Sequence, residues 1–236
     1  MTVVERLAEL SSRYRLPVGA QDRLLVLLEL LAQPVAPTAV HAPAEAVDRH
    51  VADALVGLEL EEVRRARWIA DLGAGAGVPG LVLAAALPEA HVTLVEAGAR
   101  KGGFLERAVS AMELANARVA VTRAEAWSEG RGYHDLVTAR ALAELSVIVE
   151  YAAPLLAPGG ALVAWKGRRD PVEEADGATA AAMTGLEVFP PLSVEPFPAV
   201  EDRHLHLYLK LGETPPRFPR RPGIARKRPI RASDRT

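Results

Sequence analysis

The apolar positions of the chain follow two different rhythms, with a change near residue 67. Before it they recur at helical spacing. Val3 to Arg15 and Ala20 to Leu31 read as helices. The second carries Leu24, Leu25, Leu27, Leu28, Leu30 and Leu31, too apolar to stand alone, so it must pack on something else. Gln33 to Pro43 holds three prolines and reads as a loop. Ala44 to Leu58 reads as a third helix with Val47, Val51, Ala54, Leu55 and Leu58 on one face. Residues 1–66 are therefore expected to form a helical cap.

From Arg67 onward short apolar runs alternate with longer helical ones. Strands are expected at Arg67–Asp71, His91–Val95, Arg118–Val121, Tyr133–Thr138 and Ala161–Lys166. Helices fall between them at Pro79–Leu87, Ala99–Leu114 and Ala141–Leu156, the last ending before Pro158-Gly159-Gly160, with another at Pro171–Met183. Leu186–Val194 and Arg203–Leu211 then follow each other without a helix and read as an antiparallel pair. Strand–helix alternation implies parallel pairing. Residues 67–211 are thus expected to form an α/β, Rossmann-like domain with a mostly parallel, seven-stranded sheet.

Composition narrows the chemistry. The 236 residues are half hydrophobic and include no cysteine. Disulfides, thiolate metal sites, cysteine nucleophiles and iron–sulfur chemistry are excluded. Met1 to Arg15 carries too many charges for a secretory signal, and no apolar run has the length of a membrane span. A cytoplasmic location without membrane contact is expected. The net charge of −2 conceals an asymmetry. Residues 210–236 hold nine basic side chains against two acidic ones, a charge of +7, which leaves −9 for the rest. Residues 212–236, basic and proline-broken, are expected to be a flexible tail that meets a polyanion. The alternative is a segment that folds back, anchored by Phe218 and Ile224.

The sharpest local signal is the loop Asp71-Leu72-Gly73-Ala74-Gly75-Ala76-Gly77-Val78-Pro79-Gly80. It follows a strand and opens a helix, which is the setting of a nucleotide-binding loop. Glu96 closes the next strand, where a carboxylate can accept hydrogen bonds from both ribose hydroxyls. Gly75, Gly77 and Gly80 also match the dinucleotide fingerprint, so a nicotinamide-dependent oxidoreductase stays open as an alternative. Asp71 favours S-adenosylmethionine. A carboxylate opposes a pyrophosphate but suits an ammonium and a sulfonium.

That loop resembles the first motif of the bacterial small-subunit rRNA methyltransferase G family, also called the glucose-inhibited division protein B family. Further matches follow in order: Asp48-Arg49-His50 with Asp53, Phe104-Leu105, Arg123-Ala124-Glu125 and Asp135 to Ala141. Then come Lys166-Gly167, Arg203-His204-Leu205 and Phe218 to Gly223. Members usually carry Trp-Asn and Asn-Leu-Thr before the Arg-His pair; here Leu31 to Thr38 keeps only Thr38. The helix after Glu96 opens Arg100-Lys101 in place of Lys-Arg. The resemblance implies a class I methyltransferase that acts on guanine N7 in 16S rRNA. It also implies cofactor contacts at Gly73, Val78, Ala124, Glu125 and Arg140.

Guanine N7 has a lone pair and no proton, so such a reaction needs no general base, and none is nominated. Gly75, Gly77, Asp71 and Glu96 complete the expected cofactor set. The expected RNA contacts are Arg49, His50, Lys166, Arg203 and His204, with Arg217, Arg220, Arg221, Arg226, Lys227 and Arg228 from the tail. A structural pairing of His50 with Asp53 is the competing use of that histidine. No ligands cluster near His204 and His206, so no metal site is expected. The partner is 16S rRNA or the small ribosomal subunit, and the protein is expected to be a monomer. A non-enzymatic RNA-binding protein with a vestigial cofactor site is the third alternative. Cofactor affinity is expected to be independent of the tail.

Overall fold

A computed structural model describes residues 1–198, 200 and 202–235. The N-terminal cap opens with α1 (Val3–Tyr14), whose start is closed reciprocally. Thr2 Oγ1 accepts from the Glu5 amide, and the Glu5 carboxylate accepts from the Thr2 amide. It packs against α2 (Ala20–Leu31), in which Leu24, Leu27, Leu28 and Leu31 are buried and Leu25 and Leu30 half-buried. The expected third helix is irregular. α3 (Pro43–Ala46) widens into a π-helical stretch, Val47–Ala52, then returns through α4 (Asp53–Leu55) and a 3₁₀ turn, Val56–Glu59. α5 (Glu61–Arg64) completes the cap. Apolar spacing cannot distinguish these variants, because all keep one face inward.

The sheet holds eight strands among the described residues, one more than expected. They are β1 (Trp68–Leu72), β2 (His91–Glu96), β3 (Ala117–Val121), β4 (His134–Arg140), β5 (Leu156–Lys166), β6 (Leu186–Val188), β7 (Leu192–Ser193) and β8 (His204–Lys210). The order is β3-β2-β1-β4-β5-β8-β6, with β7 also on β8. The first five strands are mutually parallel, while β8 runs antiparallel to β5, β6 and β7. The expected strand 186–194 is thus two short ones, separated by Pro190-Pro191, which cannot donate to a ladder.

The crossovers are α6 (Gly80–Ala86), α7 (Ala99–Ala111), α8 (Leu145–Ala152) and α9 (Pro171–Thr184). The helix expected over Ala141–Leu156 is shorter at both ends. β4 runs to Arg140, Ala141 takes a left-handed φ of 52°, and β5 already begins at Leu156. One apolar core joins the cap, α6 and α7 to one face of the sheet. A second joins α8 and α9 to the other. No helix among the described residues is long and apolar enough to cross a membrane.

The segment expected to be a flexible tail is packed onto the second core. Phe218, Ala225 (in α10, Ile224–Lys227) and Ile230 are buried there. Arg220 grips Glu150, a carboxylate buried in α8, through its backbone amide at 2.9 Å and its guanidinium. Arg231 pairs with Asp176 of α9 at 2.7 Å. Charge count suggested solvation, but three tail arginines are held by the protein's own acceptors: Arg220, Arg231 and Arg226, which donates to Leu142 O at 2.9 Å. Ile224, the alternative anchor, is half-buried; Phe218 holds that role with Ala225 and Ile230. Thr236 lies outside the described residues.

Candidate functional site

After β1 the chain turns sharply and enters α6. The turn is tied to β2: the amides of Gly73 and Ala74 both donate to Val95 O, at 2.8 and 3.1 Å. Gly73 has φ 65°, and a Cβ there would stand 2.5 Å from Leu142 Cδ1, so the position demands glycine twice over. Glu96 braces the loop from below. Its two carboxylate oxygens accept from the Gly75 amide at 3.1 Å and the Gly98 amide at 2.8 Å.

Asp71, expected on the cofactor's charged groups, faces inward. It is 0 % exposed; Oδ2 accepts from the Gly80 amide at 3.0 Å and Oδ1 from Thr138 Oγ1 at 2.8 Å. Thr138 is the residue directly opposite it across the β1–β4 ladder. Burial pushes its carboxyl up to about 6. Asp71 therefore holds the two ends of the loop together and does not line the cleft.

That cleft, of about 460 Å³, opens at the carboxyl edge of the sheet. Gly73, Glu96, Ala124 and Glu125 line it, with Leu142, Tyr151 and Lys101. Ala124 and Glu125 enter on a 3₁₀ turn after β3. Glu125 is buried, and its Oε1 accepts from the Gly223 amide at 2.9 Å. Arg226 also lines the cleft. The tail and the cleft are therefore not independent, contrary to the expectation from sequence separation.

A second pocket, of about 270 Å³, adjoins the first through Ala141. Its other walls are Arg140, Trp165, Lys166, Gly167 and Arg203. The two arginines are set by one buried carboxylate. Asp53, 0 % exposed, receives Arg140 Nη1 at 2.7 Å on one oxygen and stands 2.6 Å from Arg203 Nε on the other. Its backbone carbonyl accepts from Trp165 Nε1 at 2.8 Å. Arg140 Nη2 donates to His50 Nδ1 at 3.0 Å, which leaves the His50 proton on Nε2, donated to Thr38 Oγ1 at 2.9 Å. Burial and the Arg140 charge push the His50 imidazole down to about 4. Lys166 Nζ donates to Glu173 Oε1 at 2.6 Å and to Ala143 O at 3.3 Å. His50 lies in the π-helical stretch, three residues before Asp53.

Comparison with known proteins decides the family. The family described as rRNA small subunit methyltransferase G matches residues 21–205. The chain belongs to this family. A ribosomal RNA small subunit methyltransferase G from Rubrobacter xylanophilus is 40% identical over 190 residues, covering 77% of this chain and 72% of the relative. One from Chloroflexus aggregans is 41% identical, with 82% of each chain covered. Among solved structures, a SAM-dependent methyltransferase from Aquifex aeolicus superposes with TM-score 0.55 at 11% identity, covering 78% of this chain and 97% of that one. At that identity it shows the fold alone, the Rossmann-like methyltransferase fold.

The five residues that the methyltransferase G resemblance assigned to the cofactor do not all meet. Gly73, Ala124 and Glu125 line the first pocket, while Arg140 lines the second and Val78 is buried in the core under the cap. Gly75 reaches the cleft through Glu96, and Gly77 backs onto Leu81 within the loop. Of the RNA candidates, Lys166 and Arg203 share the second pocket. His204 instead donates Nδ1–H to Gly167 O at 3.0 Å, His50 is the buried brace, and Arg49 is exposed and pairs with Glu45. Arg217, Arg221, Lys227 and Arg228 are exposed on the packed tail; Arg220 turns inward onto Glu150, and Arg226, although exposed, donates to Leu142 O at the cleft. Thr38, Tyr151 and Glu173 are site residues that the sequence reading missed. Thr38 had a signal, as the one residue kept from the family's Asn-Leu-Thr stretch. The other two had none, because long-range folding alone brings them to the pockets.

Proposed function

We propose that this protein transfers a methyl group from S-adenosylmethionine to N7 of a guanine in small-subunit rRNA, using the first pocket for cofactor and the second for the acceptor base. The observation that carries the reading is the pairing of these pockets at Ala141: an adenosine-sized cleft with acid groups at Glu96 and Glu125, beside a pocket walled by cations. The cleft residues fit the cofactor. Glu96 offers acceptors to ribose hydroxyls, and Glu125 offers one to the adenine amino group. The names of the relatives supply rRNA as the substrate class.

S-adenosylmethionine, when bound, supplies an electrophilic methyl group on a sulfonium. The chain's own residues then align and desolvate. Guanine presents two adjacent acceptors, N7 and O6, on one edge. Lys166 keeps N–H capacity beyond its bonds to Glu173 and Ala143, and Arg203 keeps its Nη groups; both can donate to O6 or to a phosphate, which leaves the N7 lone pair free to attack, and both oppose adenine's amino group. Arg140 is held by Asp53, His50 and the Arg49 carbonyl, so it shapes the wall. No side chain has to remove a proton. Alignment of this kind supplies much of the rate in a bimolecular transfer.

Arg49, Arg217, Arg221, Lys227 and Arg228 are the outer phosphate contacts in this reading, and binding should weaken with salt. The decisive experiment is digestion and mass spectrometry of rRNA from cells with and without the protein. Loss of one 7-methylguanosine in its absence is expected; an unchanged nucleoside profile would overturn the reading. In a thermal-shift screen S-adenosylhomocysteine should raise the melting temperature and NAD should not.

Two substitutions separate the pockets. Glu96→Ala removes the brace of the Gly75 amide and the ribose acceptor, so the KM for cofactor should rise by tenfold or more with little change in RNA affinity. Lys166→Met keeps the stem but loses the donor. It should lower the methylation rate while S-adenosylhomocysteine binding by calorimetry stays within twofold of wild type. Equal loss of cofactor binding in Lys166→Met would assign Lys166 to the first pocket instead.

A further inference from the structure

The packed tail does more than fill the second core. Between two clamps, Arg220 on buried Glu150 and Arg231 on Asp176, it crosses the mouth of the cofactor cleft. It touches the cleft twice. The Gly223 amide donates to Glu125 Oε1 at 2.9 Å, and Arg226, which lines the cleft, donates from Nη2 to Leu142 O at 2.9 Å. Leu142 is the side chain that closes on Gly73 of the loop. In the same stretch, Arg221, Lys227 and Arg228 are exposed, and unlike Arg226 they do not line the cleft.

We propose that the C-terminal segment is a strap that completes the adenosine half of the cofactor site, with Arg226 as a cofactor-binding residue, so that cofactor and RNA strengthen each other's binding through it. The inference rests on the first pocket being the S-adenosylmethionine site. Adenine carries one amino donor and several ring-nitrogen acceptors. Glu125 answers the donor, but the acceptors need N–H groups; among the side chains that line the cleft Lys101, Arg123 and Arg226 carry them, and Arg226 is the one that the C-terminal segment brings. A guanidinium has five N–H bonds, and Arg226 spends one on Leu142. The planar cation also suits a face-on approach to an aromatic ring. A ligand that engages Arg226 from inside fixes the strap. RNA phosphates that engage Arg221, Lys227 and Arg228 from outside fix the same strap. Two ligands that stabilise one arrangement must raise each other's affinity by equal factors.

The test uses the full-length protein. Trypsin should cut after Arg226 and Lys227, and saturating S-adenosylhomocysteine should slow that cleavage at least fivefold relative to cuts elsewhere. Arg226→Ala should weaken S-adenosylhomocysteine and 5′-methylthioadenosine by about the same factor, roughly tenfold, because both share the adenosine. Arg226→Lys should recover part of the loss. Deproteinised 16S rRNA should tighten S-adenosylhomocysteine binding severalfold in the wild type, and the Arg221→Ala/Lys227→Ala/Arg228→Ala variant should lose that gain. Cleavage insensitive to cofactor, or wild-type affinity in Arg226→Ala, would overturn the strap. No RNA effect on cofactor affinity would overturn the coupling. A wild type that binds no S-adenosylhomocysteine would overturn the cofactor reading itself.

Discussion

Replacing Asp71 with alanine is expected to destabilise the fold by about 2–4 kcal/mol and to abolish cofactor binding, whereas Asp71→Asn should do neither. The alanine leaves the Gly80 amide and the Thr138 hydroxyl without a partner where no water reaches, and it opens a void beneath the loop. Asparagine keeps an acceptor for Gly80, and its amide can donate to Thr138 after the hydroxyl rotates. It also removes a buried charge. A carboxyl held at about 6 when folded, against 3.8 when unfolded, makes the ionised form cost about 3 kcal/mol at pH 7. The sign follows: this group's contribution is full below pH 3.8 and is lost as the pH rises through about 6. Urea titrations of Asp71→Asn should therefore show a gain over wild type at pH 7 that disappears near pH 4. Calorimetry with S-adenosylhomocysteine should show affinity within tenfold of wild type. A loss above a hundredfold, with stability intact, would return Asp71 to direct charge recognition of the cofactor.

The second large effect is expected at Asp53. Asp53→Ala leaves two guanidiniums, Arg140 and Arg203, partly buried without their carboxylate, a change that typically costs about 3–5 kcal/mol. It also frees both walls of the second pocket. Methylation should fall by two or more orders of magnitude, while the folded fraction at 20 °C still binds S-adenosylhomocysteine. The urea midpoint and the single-turnover rate measure the two losses separately. Unchanged stability would mean that the ion pairs are open to solvent. The same network sets an acid limit through His50. Its pKa is lowered to about 4 by burial first and by Arg140 next, so its contribution is present above 6.5 and lost as the pH falls toward 4. Asp71 and His50 thus pull in opposite directions over nearly the same range. His50→Gln should leave a stability curve that falls as the pH rises from 4 to 6, and Asp71→Asn one that rises across it.

The expected elements and their order were legible because burial imposes periods: two along strands, near four along helices. The glycine loop was legible because its backbone forbids side chains, as at Gly73, where a Cβ meets Leu142. What each charged residue does was far less legible. Asp71 and Glu96 both sit at strand ends beside the loop, yet one is sealed under it and the other reaches the cleft edge. Strand alternation separates faces of the sheet, but it does not report which oxygen finds an amide.

The amino-acid sequence by itself determined the Rossmann-like domain, the helical cap, the position of the glycine loop and the family, since each depends on local backbone requirements and on residues adjacent in the chain. Only the tertiary structure decided that Asp53 gathers Arg140 and Arg203 from 87 and 150 residues away, and that a segment with nine cations is packed. A charge is soluble or buried according to the partner it meets. For Arg220 that partner is Glu150, seventy residues back along the chain, and nothing in the spacing of either residue announces the other.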